Sequence, residues 1–198
     1  GKTTTLVEAM KLIPSKEKVL FVAFNKAIEQ ELTARLSGYD NVDIKTYHGL
    51  GYSLLRNNLG KNSGIRLNEY KYTTFINNNI HILAPDSYSL RKDDMRLFKA
   101  NLKQIVDYAR FNLAETVGEI KEICKKYGIT LVLNEPEIVP TILSWGRNHL
   151  TEIDYTDMIW LCIERDIKTR TYKYDYIFID EAQDSSIMQQ ALIKKCFK

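Results

Sequence analysis

Two short apolar runs constrain the fold of this chain more than any other feature of its sequence. One covers residues 19–24 and the other covers residues 176–179, near the opposite end of the chain. Short continuous runs of β-branched and aromatic residues, bounded by polar residues, are typical of strands buried on both faces of a parallel sheet. The sequence therefore predicts an α/β fold in which both ends of the chain supply strands to one sheet.

Helices and a further strand are predicted around the first run. In chain order they are a helix over 4–12, a helix over 27–36, a strand over 42–46 and a helix over 49–55. The helices follow from apolar residues at helical spacing, and the strand follows from the alternation of apolar and polar residues. Pro14 ends the first helix and Gly38 follows the second, positions that both residue types favour. This alternation of elements favours a parallel sheet flanked by helices.

The sequence changes character from about residue 60 and then predicts mainly helices until the second run. These helices cover 89–111, 117–127, 138–149 and 153–163. Pro140 is placed in the first turn of the third helix, where proline is tolerated, and Asp154 is placed to cap the fourth. We therefore predict a parallel-sheet unit made of residues 1–59 and 167–198, with a mainly helical unit inserted at 60–166.

Composition excludes several classes of protein. The chain has 28 Lys and Arg against 25 Asp and Glu, and this formal net charge of +3 is too small to indicate a polyanionic partner by itself. The three cysteines, Cys124, Cys162 and Cys196, lack the spacing of a zinc site or a disulfide framework. They predict a reducing, intracellular compartment, either cytoplasmic or nuclear. No apolar run approaches the roughly 18 residues that a membrane span needs, so no membrane partner is expected.

The first three residues match the last three positions of the phosphate-binding pattern G-x-x-x-x-G-K-T/S. In that pattern Lys2 would reach the β- and γ-phosphates, the Thr3 hydroxyl would bind Mg²⁺, and the helix starting at Thr4 would favour an anion. Three residues also match by chance, so a solvated chain terminus is the alternative. Because the chain begins inside this pattern and without Met, we expect a fragment, and an upstream targeting signal stays open.

Two carboxylates follow the second apolar run directly. Asp180 and Glu181 would lie at the carboxyl edge of the sheet, where open α/β folds bind their ligands. Asp180 is suited to hold Mg²⁺, and Glu181 is suited to polarise the water that attacks a γ-phosphate. Alternatively, acidic residues at the end of a strand act as plain helix caps. Asp184, which precedes Ser185 and Ser186, is a candidate cap for the last helix. The presence of both end motifs in this order favours ATP and Mg²⁺ as ligands.

Four segments, taken in order, resemble the superfamily 1A DNA helicases of the UvrD/Rep/PcrA type, including their F-box helicase relatives. These segments are residues 1–3, 24–27, 46–49 and 180–184. A weaker fifth match is residues 153–158, which look like the family's aspartate-aromatic segment ahead of the Mg²⁺ strand. The resemblance covers the two ends of the chain well and the middle only by position.

The resemblance implies a P-loop (RecA-like) parallel sheet flanked by helices, called 1A, with an inserted helical subdomain, called 1B. It assigns catalysis to Lys2, Asp180, Glu181 and Gln183, ATP binding to Gly1, Lys2, Thr3 and Thr4, and Mg²⁺ to Thr3 and Asp180. It assigns a single-stranded DNA track to Phe24, Asn25, Lys26, Thr46, Tyr47 and His48. In that track the Phe24 ring would pack against a base or sugar, and Gln183 would link the track to the nucleotide. The residues themselves leave open a core aromatic at Phe24 and a turn or cap histidine at His48.

The implied activity is ATP hydrolysis coupled to 3′–5′ movement on single-stranded DNA and to unwinding at single-strand/double-strand junctions, in repair, replication or recombination. The glycine-rich half of the phosphate loop and the second motor domain with its arginine finger are not among the 198 residues, so we expect the chain alone to be inactive. Rival hypotheses are the motor part of a helicase-nuclease subunit and a truncated module that binds nucleic acid without ATP turnover. An RNA helicase is disfavoured by Gln183 and Asp184 directly after residues 180–182.

The helix predicted over 89–111 has an apolar face and a basic stripe. The apolar face consists of Met95, Phe98, Leu102, Ile105, Val106 and Ala109. The stripe consists of Lys92, Arg96, Lys99 and Lys103. Such a stripe is typical of a solvated helix surface, and contact with duplex DNA ahead of a motor is the alternative.

Overall fold

The computed structural model describes residues 2–60, 64–169 and 172–198, and for Lys2 and Thr3 it describes the backbone. The chain forms two compact units. The sheet unit consists of Gly1–Lys61 and Leu161–Lys198, and the helical unit consists of Asn62–Trp160. The assignment of residues 1–59 and 167–198 to subdomain 1A and of 60–166 to subdomain 1B stays a prediction.

Strands and helices alternate in the sheet unit, whereas helices dominate the helical unit. The elements in chain order are α1 Lys2–Met10, β1 Val19–Ala23, α2 Lys26–Arg35, β2 Val42–Thr46, α3 Tyr47–Leu59, β3 Arg66–Leu67, α4 Lys71–Leu83, α5 Lys92–Asn112, α6 Val117–Lys126, α7 Glu135–Asn148, β4 Glu152–Ile153, α8 Asp157–Glu164, β5 Tyr176–Ile179 and α9 Ile187–Cys196. Short 3-10 helices cover Pro85–Ser89 and Ala182–Asp184. Among the helices that the structure describes, none is long and apolar enough to cross a membrane.

The sheet unit is built on three parallel strands in the order β2-β1-β5. Val19 of β1 pairs with Val42 on one side and with Tyr176 on the other. All five residues of β1 are buried, whereas β2 and β5 are partly exposed. A strand between two parallel neighbours takes apolar residues throughout, because helices cover both faces of such a sheet. The predicted α/β fold is confirmed, together with the two strands at 42–46 and 176–179.

Helix α1 packs on the central strand. Its residues Leu6, Val7 and Met10 join the same apolar cluster as Val19 and Phe21 of β1. In chain order the helix comes directly before β1.

In the helical unit, α5 packs against α4, α6 and α7. The apolar face predicted for this helix is confirmed at Phe98, Leu102, Ile105, Val106 and Ala109, which are buried. The helix ends at Asn112, followed by a residue in the left-handed conformation that commonly stops helices.

A buried ionic cluster joins α4, α5 and the start of α8. The Arg110 guanidinium donates to both oxygens of Asp154 at 2.8 Å and to Asp157 Oδ1 at 2.9 Å. Asp157 also accepts from Lys71 Nζ at 2.6 Å and from the Tyr72 hydroxyl at 2.8 Å. Burial raises the pKa of Asp154, but the charge and hydrogen bonds of Arg110 outweigh burial and hold that pKa below its ordinary value. The charges are stable in the interior because each has an opposite charge and hydrogen-bond partners.

The predicted start of α7 is wrong. The helix begins at Glu135, ahead of the predicted residue 138, so Pro140 lies in its interior rather than in its first turn. The Glu135 carboxylate accepts the backbone N–H groups of Val132 and Leu133 at 2.9 Å, which fixes the chain just ahead of the helix. Proline does occupy the first turn, but it is Pro136.

The predicted start of α8 is also wrong. Ile153 pairs with Leu67 in the two-residue parallel strands β4 and β3, which the sequence did not predict. Asp154 does cap the helix, because its Oδ1 accepts the Asp157 N–H at 2.7 Å. A usual cap side chain bonds to the N–H of the second or third helical residue, whereas Asp154 bonds to the N–H of Asp157, the first residue of α8.

Candidate functional site

The carboxyl ends of all three sheet strands meet at one edge of the sheet unit. Ala23 pairs with Thr46, and Val22 pairs with Ile179. At the carboxyl ends of these strands lie residues 24–27, 46–49 and 180–184, three of the four segments that carry the resemblance. The parallel register therefore brings sequence motifs from both ends of the chain to the same edge.

Asp180 lies at the end of the ladder between β1 and β5. Its N–H donates to Val22 O at 3.0 Å, and the residue is 7% exposed. Among the side chains that the structure describes, no Lys or Arg pairs with this carboxylate, and no three metal-binding side chains cluster. Mg²⁺ is usually held by one or two carboxylates, with waters and substrate phosphates completing the shell. A single buried carboxylate at this edge fits that requirement.

Glu181 follows in an unusual backbone conformation. Its φ of 51° lies in the left-handed region, which costs a residue with a Cβ about 1–2 kcal/mol. The next three residues form the 3-10 helix Ala182–Asp184, in which Asp184 N–H donates to Glu181 O at 3.0 Å. Gln183 Nε2 donates to Glu181 Oε2. Hydrogen bonds within this turn therefore fix both the backbone and the side chain of Glu181.

The helix-cap alternative for this segment is settled by α9. Ser186 is the cap: its Oγ accepts the Gln189 N–H at 3.2 Å, and Gln189 Oε1 accepts the Ser186 N–H at 2.8 Å. This is a reciprocal capping box. The caps are thus Ser186 and Gln189, and the carboxylates of Asp180 and Glu181 are not used for this purpose.

Phe24 is the first residue beyond β1 and is 58% exposed. The interpretation of Phe24 as a core aromatic is therefore wrong, since the buried strand ends at Ala23. Asn25 caps α2 by accepting the Ile28 N–H at 3.0 Å. Lys26 is exposed and pairs with Glu29 at 2.7 Å. The end of β1 thus presents an aromatic ring and an ammonium group side by side in sequence on an exposed turn.

The second segment begins α3. Thr46 caps the helix by accepting the Gly49 N–H at 3.1 Å, which explains why α3 starts at Tyr47, ahead of the predicted residue 49. Tyr47 is 5% exposed, and its hydroxyl lies 2.6 Å from Ser185 Oγ. Burial raises the pKa of Tyr47, although the bond to Ser185 lowers it. His48 is exposed.

One pocket of about 170 Å³ joins these segments. It is lined by Phe24, Tyr47, His48, Glu181, Asp184, Ser185 and Gln189. Of the predicted site residues that the structure describes, Thr4, Asn25, Lys26, Thr46, Asp180 and Gln183 lie outside it. Sequence reasoning missed Ser185 and Gln189 as pocket residues, because their local pattern indicates only a helix start. The pocket places an exposed aromatic ring and an imidazole beside two carboxylates.

The predicted nucleotide residues are only partly described. Gly1 and the side chains of Lys2 and Thr3 lie outside the described residues, so their assigned roles stay predictions. The α1 backbone begins at Lys2, and Thr4 is exposed in its first turn. A helix N-terminus is suited to phosphate, because its N–H groups and dipole attract anions.

A family model for the UvrD/REP helicase N-terminal domain matches residues 1–198. The chain belongs to this family. It is therefore part of an ATP-dependent nucleic-acid motor, and the resemblance drawn from four short segments is confirmed. Members of the family use ATP and Mg²⁺ in general. Comparison with curated proteins gives no significant match.

The basic stripe of α5 belongs to the helical unit. Lys92 and Arg96 are exposed, and Lys103 pairs with Asp107 at 2.5 Å. Its two alternatives, a solvated face and a contact with duplex DNA, both stay predictions.

Proposed function

We propose that this chain is the first motor domain of a helicase that hydrolyses ATP to move 3′ to 5′ along single-stranded DNA and to open duplex at single-strand/double-strand junctions. The observation that carries the proposal is the 170 Å³ pocket, in which Phe24 and His48 adjoin Glu181. A motor needs its DNA-binding residues close to the groups that act on ATP, so that DNA binding and ATP hydrolysis can influence each other. Family membership supports the same conclusion.

The residues proposed to contact single-stranded DNA are suited to any base sequence. Exposed aromatic rings bind single strands by stacking, worth about 1–3 kcal/mol per base and tolerant of base identity. Phe24 supplies such a ring, and His48 is exposed nearby in the pocket. Asn25, Lys26 and Thr46 would continue the track, with the ammonium group of Lys26 near a phosphate.

On the nucleotide side, five residues would have separate roles. Asp180 would hold Mg²⁺, together with the predicted hydroxyl ligand of Thr3. Glu181 would accept a proton from the attacking water, and Lys2 would pair with the β- and γ-phosphates. Bound Mg²⁺ supplies charge neutralisation on the phosphates. Gln183, which donates to Glu181, would orient that carboxylate.

An intracellular location is part of the proposal. Cys124, Cys162 and Cys196 are all buried thiols rather than disulfides. A chain with three reduced cysteines suits a reducing compartment.

The central test replaces Glu181 in the full-length protein. Glu181→Gln keeps the size of the side chain and removes the base, so DNA-stimulated ATP hydrolysis should fall about 10²–10⁴-fold while single-stranded DNA still binds. Glu31→Gln, at an exposed position on α2, is the matched control and should leave hydrolysis unchanged. Undiminished hydrolysis in Glu181→Gln would contradict the assigned base. Binding without any turnover in the unaltered protein would favour the rival binding module.

A second test addresses direction and substrate. Duplexes with a 3′ tail should be unwound, whereas duplexes with a 5′ tail should not, and DNA should stimulate hydrolysis more than RNA. Lys2→Ala should abolish unwinding and leave single-strand binding detectable. Unwinding by Lys2→Ala would show that the phosphate role belongs to another residue.

A further inference from the structure

Two hydroxyl groups join α3 to the turn that carries the carboxylates. Tyr47 Oη and Ser185 Oγ lie 2.6 Å apart, and either can act as the donor. Tyr47 is in the first turn of α3, whereas Ser185 comes directly after the 3-10 helix Ala182–Asp184. The bond therefore connects two of the segments that line the pocket.

On the α3 side, Tyr47 and His48 share a first turn that a helix cap fixes. Tyr47 and His48 are consecutive, and successive residues of a helix point about 100° apart. Tyr47 accordingly is buried while His48 is exposed to a ligand in the pocket. The Thr46 cap on Gly49 N–H fixes this turn. A ligand that displaces His48 would therefore displace the Tyr47 hydroxyl as well.

On the other side, Ser185 is fixed to the turn that contains Glu181. Ser185 N–H donates to Ala182 O at 3.2 Å, and Asp184 N–H donates to Glu181 O at 3.0 Å. Gln190 Nε2 donates to the Ser185 carbonyl at 3.1 Å. A displacement of Ser185 is therefore passed along the turn to Glu181, whose left-handed backbone depends on that turn.

The bond links neutral groups in a partly buried place. Burial raises the pKa of Tyr47, so its hydroxyl keeps its proton at neutral pH. A hydrogen bond of this kind is strong enough to change an equilibrium by roughly five- to tenfold and weak enough to break in each cycle. Such a bond suits a reversible connection better than a buried ion pair does.

We propose that the Tyr47–Ser185 hydrogen bond couples the binding of single-stranded DNA to ATP hydrolysis, with both residues acting as positioning residues for Glu181. The inference rests on the proposed function and adds a specific connection to it. Tyr47 thereby takes a different role from the strand contact that the resemblance assigned, since its hydroxyl is bound to Ser185.

The test measures ATP hydrolysis by the full-length protein with and without oligothymidylate. Ser185→Ala should reduce the stimulation by DNA, measured as the ratio of the rates with and without DNA, about five- to tenfold. Ser185→Thr keeps a hydroxyl and should keep the stimulation. Tyr47→Phe should reduce the stimulation to the same extent as Ser185→Ala, and the double variant should lose no more than either single variant.

Ser53→Ala on α3 is the matched control, because it removes a serine hydroxyl that bonds to Gly49 O instead. Full stimulation in Ser185→Ala, or an equal fall in the rates with and without DNA, would overturn the inference and leave the proposed function intact. No stimulation by DNA in the unaltered protein would overturn both. If Ser185→Ala unfolds at a lower temperature than the unaltered protein, Tyr47→Phe is compared with Tyr52→Phe, a change at a second tyrosine of α3. A loss of stimulation in Tyr47→Phe alone would support the inference, and equal stimulation in both would overturn it.

Discussion

Two aspartate-bearing turns follow β-strands in this chain, and they differ in how their charge is balanced. The paired turn, residues 154–157, follows β4 in the helical unit, and the open turn, residues 180–184, follows β5 in the sheet unit. Asp154 and Asp180 are almost equally buried, at 6% and 7% exposure. Asp154 accepts two hydrogen bonds from Arg110, whereas Asp180 has no cationic partner among the described side chains.

The difference shows that two equally buried aspartates can differ completely in how the fold balances their charge. A buried carboxylate is expensive unless an opposite charge accompanies it. For Asp154 that charge is built into the fold as Arg110. For Asp180 the proposed partner is Mg²⁺, which arrives with the nucleotide. Each prediction below alters one side of this contrast.

The largest effect is expected in the paired turn. Arg110→Met leaves Asp154 and Asp157 buried without their guanidinium partner, so the free energy of unfolding should fall by about 3–5 kcal/mol. Urea denaturation followed by the fluorescence of Trp145 and Trp160, the two tryptophans of the chain, measures it. Arg96→Met, on the exposed face of α5, is the control. Equal stability of the two variants would contradict the structural role of the cluster.

The open turn should respond in the opposite way. Asp180→Asn removes a buried charge that has no described partner, so the free energy of unfolding should not fall, in contrast to Arg110→Met. Hydrolysis of Mg²⁺-ATP by the full-length protein should fall about 10²-fold or more, because an electrostatic contact to the reacting phosphate is lost. A loss of stability as large as that of Arg110→Met would erase the contrast between the two turns.

Acid should weaken the paired turn. The folded pKa of Asp154 lies below the unfolded value of about 3.9, so its stabilising contribution is complete above that pH and is lost as the pH falls through the folded pKa. Asp154→Asn should cost about 1.5–3 kcal/mol at neutral pH and make the stability less dependent on pH in the acid range. Unfolding measured at pH 7 and at several lower values tests this, and parallel pH curves for both proteins would contradict it.

The smallest effect concerns an exposed pair. Lys26→Ala removes the surface contact with Glu29, which should change stability by less than about 0.5 kcal/mol. It should weaken binding to single-stranded DNA and lower the slope of log affinity against log salt by about 1. Lys16→Ala, at another exposed position, should leave that slope unchanged. An unchanged slope in Lys26→Ala would remove Lys26 from the proposed track.

Local pattern was sufficient for the sheet and insufficient for several boundaries. The runs at 19–24 and 176–179 are continuous and apolar, so their strands could be predicted directly. The start of α7 depends on the Glu135 carboxylate binding the preceding backbone, and periodicity does not report such a contact. Strands β3 and β4 have two residues each, which is too short for any pattern.

The candidate site divides in the same way. Phe24, His48 and Glu181 could be selected because each lies in a recognisable short motif. Ser185 could not be selected, since its bond to Tyr47 joins residues 138 apart in sequence. The exposure of Phe24 also depends on β1 ending one residue before the apolar run does. Motifs thus identify the candidates, and only the fold identifies their connections.

The placement of β1 between β2 and β5 has a consequence for how the protein folds. Val19 can meet Val42 soon after both are synthesised, but its other partner, Tyr176, follows the whole helical unit in the sequence. Contacts between distant residues form slowly, because closing a long loop costs conformational entropy. The helical unit can therefore become compact on the ribosome before β5 emerges. The edge that carries Asp180 and Glu181 is then completed after the helical unit, so these two carboxylates reach their final positions only when β5 joins the sheet.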